Sequence, residues 1–324
     1  MSIAVVAIGR NEGDRLKRCL TSATQQAQTV VYVDSGSTDG SVAFAQSLGV
    51  RVVNLDMTRP FTAARARNEG FECVREIAPD TRFVQFVDGD CEIAPGWLSQ
   101  ASAFLEAQSQ VAAVCGRRRE RHPQASVFNA LCDLEWDTPV GQAKACGGDV
   151  LMRASALAQV RGYNPSVIAG EEPELCIRLR AAGWTVWRLP AEMTLHDANI
   201  LQLKQWWTRA KRCGYAYALG QAMHGAPPER HWVKETRRAL GWAFGGPAIA
   251  TLACVAVGPW GLSLLAIYPA QALRLARRSR LQPTRAALWD GALQVLGKFA
   301  EARGIWSFWL DRWQGRTAKI IEYK

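Results

Sequence analysis

The chain has 324 residues, room for about two domains of ~150 residues each and for a sizeable buried core. It is 48% hydrophobic, 21% charged and 9% aromatic, with 27 Gly, which excludes disordered, collagenous and disulfide-scaffold proteins. The formal charge of +10 is uneven: residues 1–199 hold 20 Lys/Arg against 23 Asp/Glu, whereas residues 200–324 hold 19 against 6. Eleven of the 13 Trp lie from Trp184 onward. Basic charge that travels with tryptophan points to an anionic membrane surface as a partner and away from nucleic acid.

The first two hundred residues alternate short apolar runs with helical patterns. IAVVAI (3–8) has no basic segment before it and is too short for a signal peptide, so it reads as a first strand, with an amphipathic stretch after it to about Ala23. TVVYV (29–33) runs into DSGSTDG and a helix through Leu48. RVVNL (51–55) precedes a helix around residues 62–77, and RFVQFV (82–87) precedes DGDCEIAPG and a helix starting near Trp97. VAAVCG (111–116) and TVWRLP (185–190) are further strands, and ELCIRLRAAGW (174–184) is helical. Continuous apolar strands alternating with helices predict a mostly parallel α/β sheet covered on both faces. In such sheets ligands collect at the carboxyl ends of strands, where Asp34, Asp88 and Asp90 all fall.

Beyond about residue 200 the pattern changes. Residues 201–238 form a basic helical connector, and residues 239–273 carry no formal charge at all. Thirty-five apolar residues exceed one span of about 20 and fall short of two. GPWG (258–261) interrupts them, and both flanks are basic, at Lys234, Arg237 and Arg238 and again at Arg274, Arg277, Arg278 and Arg280. Both ends are therefore expected on the cytoplasmic side, with the apolar run as a helical hairpin at the membrane. Residues 274–324 are basic and Trp-rich, with Trp306, Trp309 and Trp313 at helical spacing. The nine Cys are odd in number and contain no CxxC pair, so they read as small core residues of a reducing compartment and argue against a cysteine metal site.

Three clusters carry chemistry. Asp88-Gly89-Asp90 ends the strongest apolar strand, and two carboxylates around a glycine can meet one divalent cation, Mg²⁺ or Mn²⁺. Glu171, Glu172 and Glu174 open a helix. One acid suits the positive end of the dipole, and three exceed what a cap needs, leaving a carboxylate to take a proton from an acceptor hydroxyl. His196, beside Asp197 and just beyond a strand, is a candidate third contact for a metal or phosphate. The loop after the first strand lacks G-x-G-x-x-G, which argues against a dinucleotide fold.

In order, VVAIGRNEGDRLKRCL, VVYVDSGSTDGS, Ala66-Arg67-Asn68, VQFVDGDCEIAPGWL, CGGDVLMR (146–153) and GEEPELCIRLRAAGW resemble an inverting family-2 glycosyltransferase of the GT-A, Rossmann-like fold, over residues 2–200. The resemblance implies a catalytic domain over 1–200 and a membrane-associated helical region after it. It implies that Ala7, Arg10, Glu12 and Asp34 line the nucleoside pocket, with Arg65, Arg67 and Asn68 near the nucleotide and diphosphate. Asp90 would ligate the metal, with Asp88 nearer the sugar, and Glu172 would be the base, with Glu171 its rival because this chain has Glu-Glu where Glu-Asp is usual. Gly147, Gly148 and Asp149 match an acceptor-side loop. Gln205-Trp206-Trp207-Thr208-Arg209 does not fit the Q-x-x-R-W signature of processive synthases, so one sugar per encounter is expected. The implied reaction moves a sugar from a nucleotide-diphosphate sugar, UDP-linked first of all, to a lipid-linked or nascent glycan at the cytoplasmic face of a bacterial inner membrane. Two other classes compete: a sugar-phosphate nucleotidyltransferase, which would need a Gly-rich basic loop where GRNEGD stands, and a non-catalytic nucleotide-sugar-binding scaffold, which would lack one of the acidic clusters.

Overall fold

The computed structural model describes residues 2–282 and 284–316; the last part of the basic C-terminal segment, 317–324, lies outside the described residues. Two compact units emerge, one from residues 1–122 and 135–198, the other from residues 123–134 and from Asn199 onward.

In the first unit the apolar runs become strands. β1 (Ile3–Gly9), α1 (Asp14–Thr24), β2 (Thr29–Asp34), α2 (Ser41–Ser47), β3 (Arg51–Asn54) and α3 (Ala63–Ile77) alternate, and β4 (Phe83–Asp88) and a short β5 (Cys91–Ile93) follow. After α4 (Trp97–Ala107) and β6 (Val111–Glu120), the chain forms α5 (Val127–Glu135), which lies almost wholly in the second unit. It then returns through β7 (Gly141–Ala143), β8 (Val150–Arg153), α6 (Ala154–Gln159), α7 (Glu171–Ala181) and β9 (Thr185–His196). The sheet order is β3-β2-β1-β4-β8-β6-β9-β5, with β7 also on β9. Strands β1 to β4 pair in parallel, as do β6 and β9, whereas β8, β5 and β7 run against their neighbours. The sheet is therefore mixed, more so than the alternating pattern predicts. The three reversed strands are only three or four residues long, too short to show a period.

This topology gathers the polar residues at one edge. The parallel strands end there at Gly9, Asp34, Asp88, Glu120 and His196, and the antiparallel β5 and β8 begin there, just after Asp90 and Asp149. The layer beneath is apolar and fully buried, with Val5, Val6, Tyr32, Phe86, Val87 and Leu151 among its members. Burial of each large aliphatic side chain contributes about 1.5–3 kcal/mol, which gives that edge a rigid support. Gly70 on α3 lets the helix lie directly on the sheet, because a side chain there would overlap Val6 and Val33. Arg67, one turn earlier on the same face, is thereby set over the strand ends.

The second unit is helical: α8 (Leu203–His224), α9 (Val233–Leu240), α10 (Gly246–Val257), α11 (Ile267–Ala276) and α12 (Thr284–Trp313). α8 and α12 run antiparallel, since Gly214 meets the backbone of Glu301 and Gly304 meets that of Lys211 and Tyr215. Tyr215 also packs edge-on against Phe308 at 5.4 Å. By length and composition Val233–Ala276 is a single apolar helix long enough to cross a membrane. Its packing divides it. Gly258 takes φ +66°, a 3₁₀ stretch Gly258–Ala266 follows, and Gly261 lies against the backbone of Ala253 and Cys254. Tyr268 then donates its hydroxyl to the carbonyl of Trp242 at 2.5 Å. α11 thus returns alongside the start of the run as a hairpin with its turn at Gly258. Most of the run is open, with Val255 85% and Trp260 81% exposed.

Candidate active site

The site is centred on Arg67. α3 begins with Thr62, whose hydroxyl accepts from the Arg65 amide at 3.1 Å, and this cap fixes the first turn that carries Arg67. The Arg67 side chain is 3% exposed and meets three carboxylates: Nη1 lies 2.9 Å from Glu171 Oε1 and 2.8 Å from Glu172 Oε1, and Nη2 lies 2.8 Å from Asp88 Oδ1. Burial opposes its charge, but Glu172, Asp88 and Glu171 hold the guanidinium protonated, well above its ordinary value.

Glu171 and Glu172 are delivered by the start of α7. Gly170, at φ +82°, turns the chain into the helix, and Pro173 is tolerated there because the first-turn amides have no partner within the helix. The third acid is structural: Glu174 pairs with Arg178 at 2.8 Å, and Arg178 reaches back to the carbonyls of Val160 and Gly162. Burial, with Glu171 alongside, pushes the Glu172 carboxyl up to about 8.

On the other side of Asp88, Arg118 from β6 approaches Asp88 Oδ2 and Asp149 Oδ2, each at 3.5 Å, and stacks over the Trp136 ring at 4.8 Å. Asp149 is fully buried. It accepts the Asp88 amide at 3.1 Å and the Thr194 hydroxyl at 2.7 Å, so it braces the end of β4 from within. Gly148 is pressed against this pair. A Cβ there would lie 2.7 Å from Arg67 Nη2 and 2.9 Å from Asp88 Oδ2, whereas Gly147 is open. The buried thiols of Cys146 and Cys176 lie 3.5 Å apart, seating the loop against α7.

Asp90 and His196 meet because β5 and β9 pair, with Cys91 opposite His196. His196 Nε2 is 3.3 Å from Asp90 Oδ2, and Nδ1 is 3.4 Å from Glu120 Oε2. Burial, with Arg118 nearby, lowers the His196 pKa to about 4, so the ring is neutral at pH 7. A neutral imidazole carries one proton yet faces a carboxylate at each nitrogen, so one lone pair points at an anion. A cation shared by Asp90 and His196 would relieve that opposition; the carboxylate oxygens suit Mg²⁺ or Mn²⁺, and the imidazole nitrogen favours Mn²⁺ of the two. Carboxylate oxygens of Asp88 and Asp149 are gathered around the Cys91 thiol, as are those of Asp90 with the His196 ring, all within 4.8 Å in each group. Cys91 itself is fully buried and its pKa is pushed well up, chiefly by burial, so it stays a thiol.

The structure brings together Asp88, Asp90, Asp149, Glu171, Glu172, Arg67, Gly148 and His196. Three residues expected near the nucleotide make internal bonds. Arg65 donates to the backbone carbonyls of Asp56, Arg59 and Pro60, and Asn68 bonds both the amide and the carbonyl of Tyr163. Both hold loops in place. Arg67 faces the acid cluster, where three carboxylates converge on it. Asp149 is likewise an internal brace and no surface of an acceptor loop. Ala7 is buried inside β1 between Tyr32 and Val87. Asp34 accepts the Tyr32 hydroxyl and the amides of Gly36 and Ser37, shaping the loop after β2. Glu12 pairs with Arg15 at 2.8 Å in the loop after β1, which Arg10 opens at an exposed position. Arg118, Glu120, Trp136 and Thr194 are site residues that no sequence motif marks.

The mixed α/β sheet with flanking helices is like that of the GT-A glycosyltransferases. Residues 2–133 match Glycosyl transferase family 2. A pre-mycofactocin glycosyltransferase of Mycobacterium tuberculosis is 26% identical over 319 residues, covering 90% of this chain, and the chain spans 63% of that relative's length. Among solved structures, a mannosyltransferase of Pyrobaculum calidifontis in complex with GDP-Man and Mn²⁺ superposes with a TM-score of 0.66 at 20% identity, over 94% of this chain and 87% of its own. Glucosyl-3-phosphoglycerate synthase of M. tuberculosis, solved with phosphoglyceric acid, gives 0.52 at 18% identity over 70% and 81%.

Proposed function

We propose that the protein is a metal-dependent inverting glycosyltransferase that moves one sugar from a nucleotide-diphosphate sugar to a lipid-linked or nascent glycan. The observation that carries this reading is the convergence of the Asp88/Asp90/His196 edge with the buried Glu171/Glu172 pair about Arg67. Asp90 and His196, with Asp88 beside them, hold the cation. Once bound, Mg²⁺ or Mn²⁺ neutralises the charge of the departing diphosphate. Glu172 accepts the proton of an acceptor hydroxyl. The freed oxygen bonds to the anomeric carbon from the face opposite the donor's diphosphate, whose C–O electron pair leaves with it. Arg67 holds Glu171, Glu172 and Asp88 in register and keeps their mutual repulsion in check. UDP-sugars are the first donors to test, with GDP-sugars beside them. The outcome expected from ¹H NMR of the first product is an anomeric configuration opposite to that of the donor. Retention would rule out Glu172 as the base.

The helical unit supplies the second half of the reading, attachment to the inner face of a bacterial inner membrane. The hairpin from Gly246 to Ala276 leaves its apolar side chains open, and basic residues flank both of its ends. The uncharged first arm runs as continuous helix from Ala239 to Val257, a rise of ~28 Å against a hydrocarbon core of ~30 Å, and the turn at Gly258 brings the chain back so that both basic flanks stay on one face. Each flanking Lys or Arg near the surface adds about 1 kcal/mol of attraction to anionic lipid. Vesicles containing phosphatidylglycerol should sediment the protein, and replacing Trp260 and Val255 with Asp should release it. Retention of that variant on the vesicles would contradict insertion of the hairpin.

A further inference from the structure

We propose that Glu120 is a positioning residue: it holds the Nδ1 face of His196 so that Nε2 is presented to the cation site beside Asp90. The proposal rests on the metal-dependent reading of that site. Glu120 ends β6, directly opposite His196 in the pairing with β9, and its side chain is fully buried. Oε2 faces His196 Nδ1 at 3.4 Å and accepts the Ala198 amide at 3.0 Å, and Oε1 accepts the His122 amide at 3.1 Å. Two backbone amides fix the carboxylate in place, so it is a rigid reference for the ring.

The ring is clamped from a second direction. Trp136 packs edge-on against His196, centroids 4.7 Å apart at 83°, leaving the imidazole little freedom to turn. Both carboxylates that face the ring accept only, and Glu120 is the one fixed by two backbone amides, so it takes the proton on Nδ1 and the lone pair then lies on Nε2, 3.3 Å from Asp90 Oδ2. Carboxylate–histidine–metal relays of this kind orient the ligand and raise its basicity, and losing the outer carboxylate costs about 10–100-fold in metal affinity. A register shift in the β6–β9 pairing between Cys115 and Arg118 precedes this contact. Shifts of this kind re-aim strand ends, here the one that carries Glu120.

The test uses the full chain without metal, then with Mn²⁺ alone. Long-range ¹H–¹⁵N correlation spectra should show His196 protonated on Nδ1; the chain has four His, which keeps the assignment tractable. In Glu120→Ala the proton should move wholly or partly to Nε2, and Mn²⁺ affinity, read from the signal of free Mn²⁺ by electron paramagnetic resonance, should fall ~10–100-fold. Glu120→Gln keeps an acceptor for Nδ1–H and should stay within a few-fold of the wild-type affinity. A wild-type His196 protonated on Nε2 overturns the proposal whatever the variants do. So does a Glu120→Ala protein that melts cooperatively and keeps both the Nδ1 proton and the wild-type Mn²⁺ affinity, since Glu120 would then only stabilise the strand end. If the wild type binds no Mn²⁺, the metal reading fails on its own, and the tautomer still decides the role of Glu120.

Discussion

Replacing Arg67 with Met should destabilise the protein by about 3–5 kcal/mol at pH 7, the cost of removing one partner from a buried ion cluster. The guanidinium is the common partner of Asp88, Glu171 and Glu172, and methionine matches its bulk without its charge. The deficit should depend on pH. Without Arg67 the Glu172 carboxyl, already pushed up by burial and by Glu171, loses the charge that lowers it and rises further above its unfolded value. A group shifted in that direction favours the fold below its unfolded pKa and loses that contribution as pH rises through the folded value. The difference between variant and wild type should therefore grow as pH rises through about 8. Urea unfolding at several pH values measures it. An unchanged midpoint at pH 7 would mean that the carboxylates are not held by Arg67.

Glu172→Gln should lower kcat by about 10²–10⁴-fold while leaving the donor KM within a few-fold, the signature of a lost general base. Glu171 shares the same Arg67 nitrogen, but its side chain is 5% exposed against 11% for Glu172, so Glu172 is the more open to an acceptor. Glu171→Gln should therefore cost less. For the wild type, kcat/KM should rise with pH through an apparent pKa near 8, the value to which burial and Glu171 push the Glu172 carboxyl, and that limb should vanish in Glu172→Gln. The same elevation makes a stability statement. The contribution of Glu172 to folding is present below its unfolded pKa near 4.5 and is lost as pH rises through about 8. A larger loss in Glu171→Gln would exchange the two roles.

Much of this site was legible before any coordinates. β1, β2 and β4 are buried on both faces and so read as unbroken apolar runs, which located Asp34 and Asp88 at strand ends. Asp88-Gly89-Asp90 and Glu171-Glu172 stand out because acids follow apolar strands or crowd a first helical turn. His196 stood out by rarity and by its place at a strand end. What the sequence hid are consequences of pairing. β8 is too short to show a period, so nothing in the sequence indicates that Asp149 shares an edge with Asp88 and Asp90. Arg118 and Glu120 sit in RRRE, which reads as a solvated charge run until β6 lies beside β9. Arg67 was visible, but its role was not. A guanidinium next to a nucleotide motif suggests a diphosphate, and only the packing of α3 and α7 on the sheet shows three carboxylates already in place. Arg65 and Asn68 bond backbone atoms of loops 56–60 and 163, contacts that no side-chain pattern announces.

On the function proposed above, the edge holding Asp90 turns over a nucleotide-diphosphate sugar with the help of a divalent cation. The most direct test measures nucleotide diphosphate released from UDP-, GDP- and dTDP-sugars by the detergent-purified full chain, with Mn²⁺, with Mg²⁺ and with chelator, beside Asp90→Ala. Release from one donor class that depends on the cation and is lost in a folded Asp90→Ala is the predicted result. Release that persists in chelator or in Asp90→Ala, or no release and no calorimetric binding with any of the donors, would contradict it.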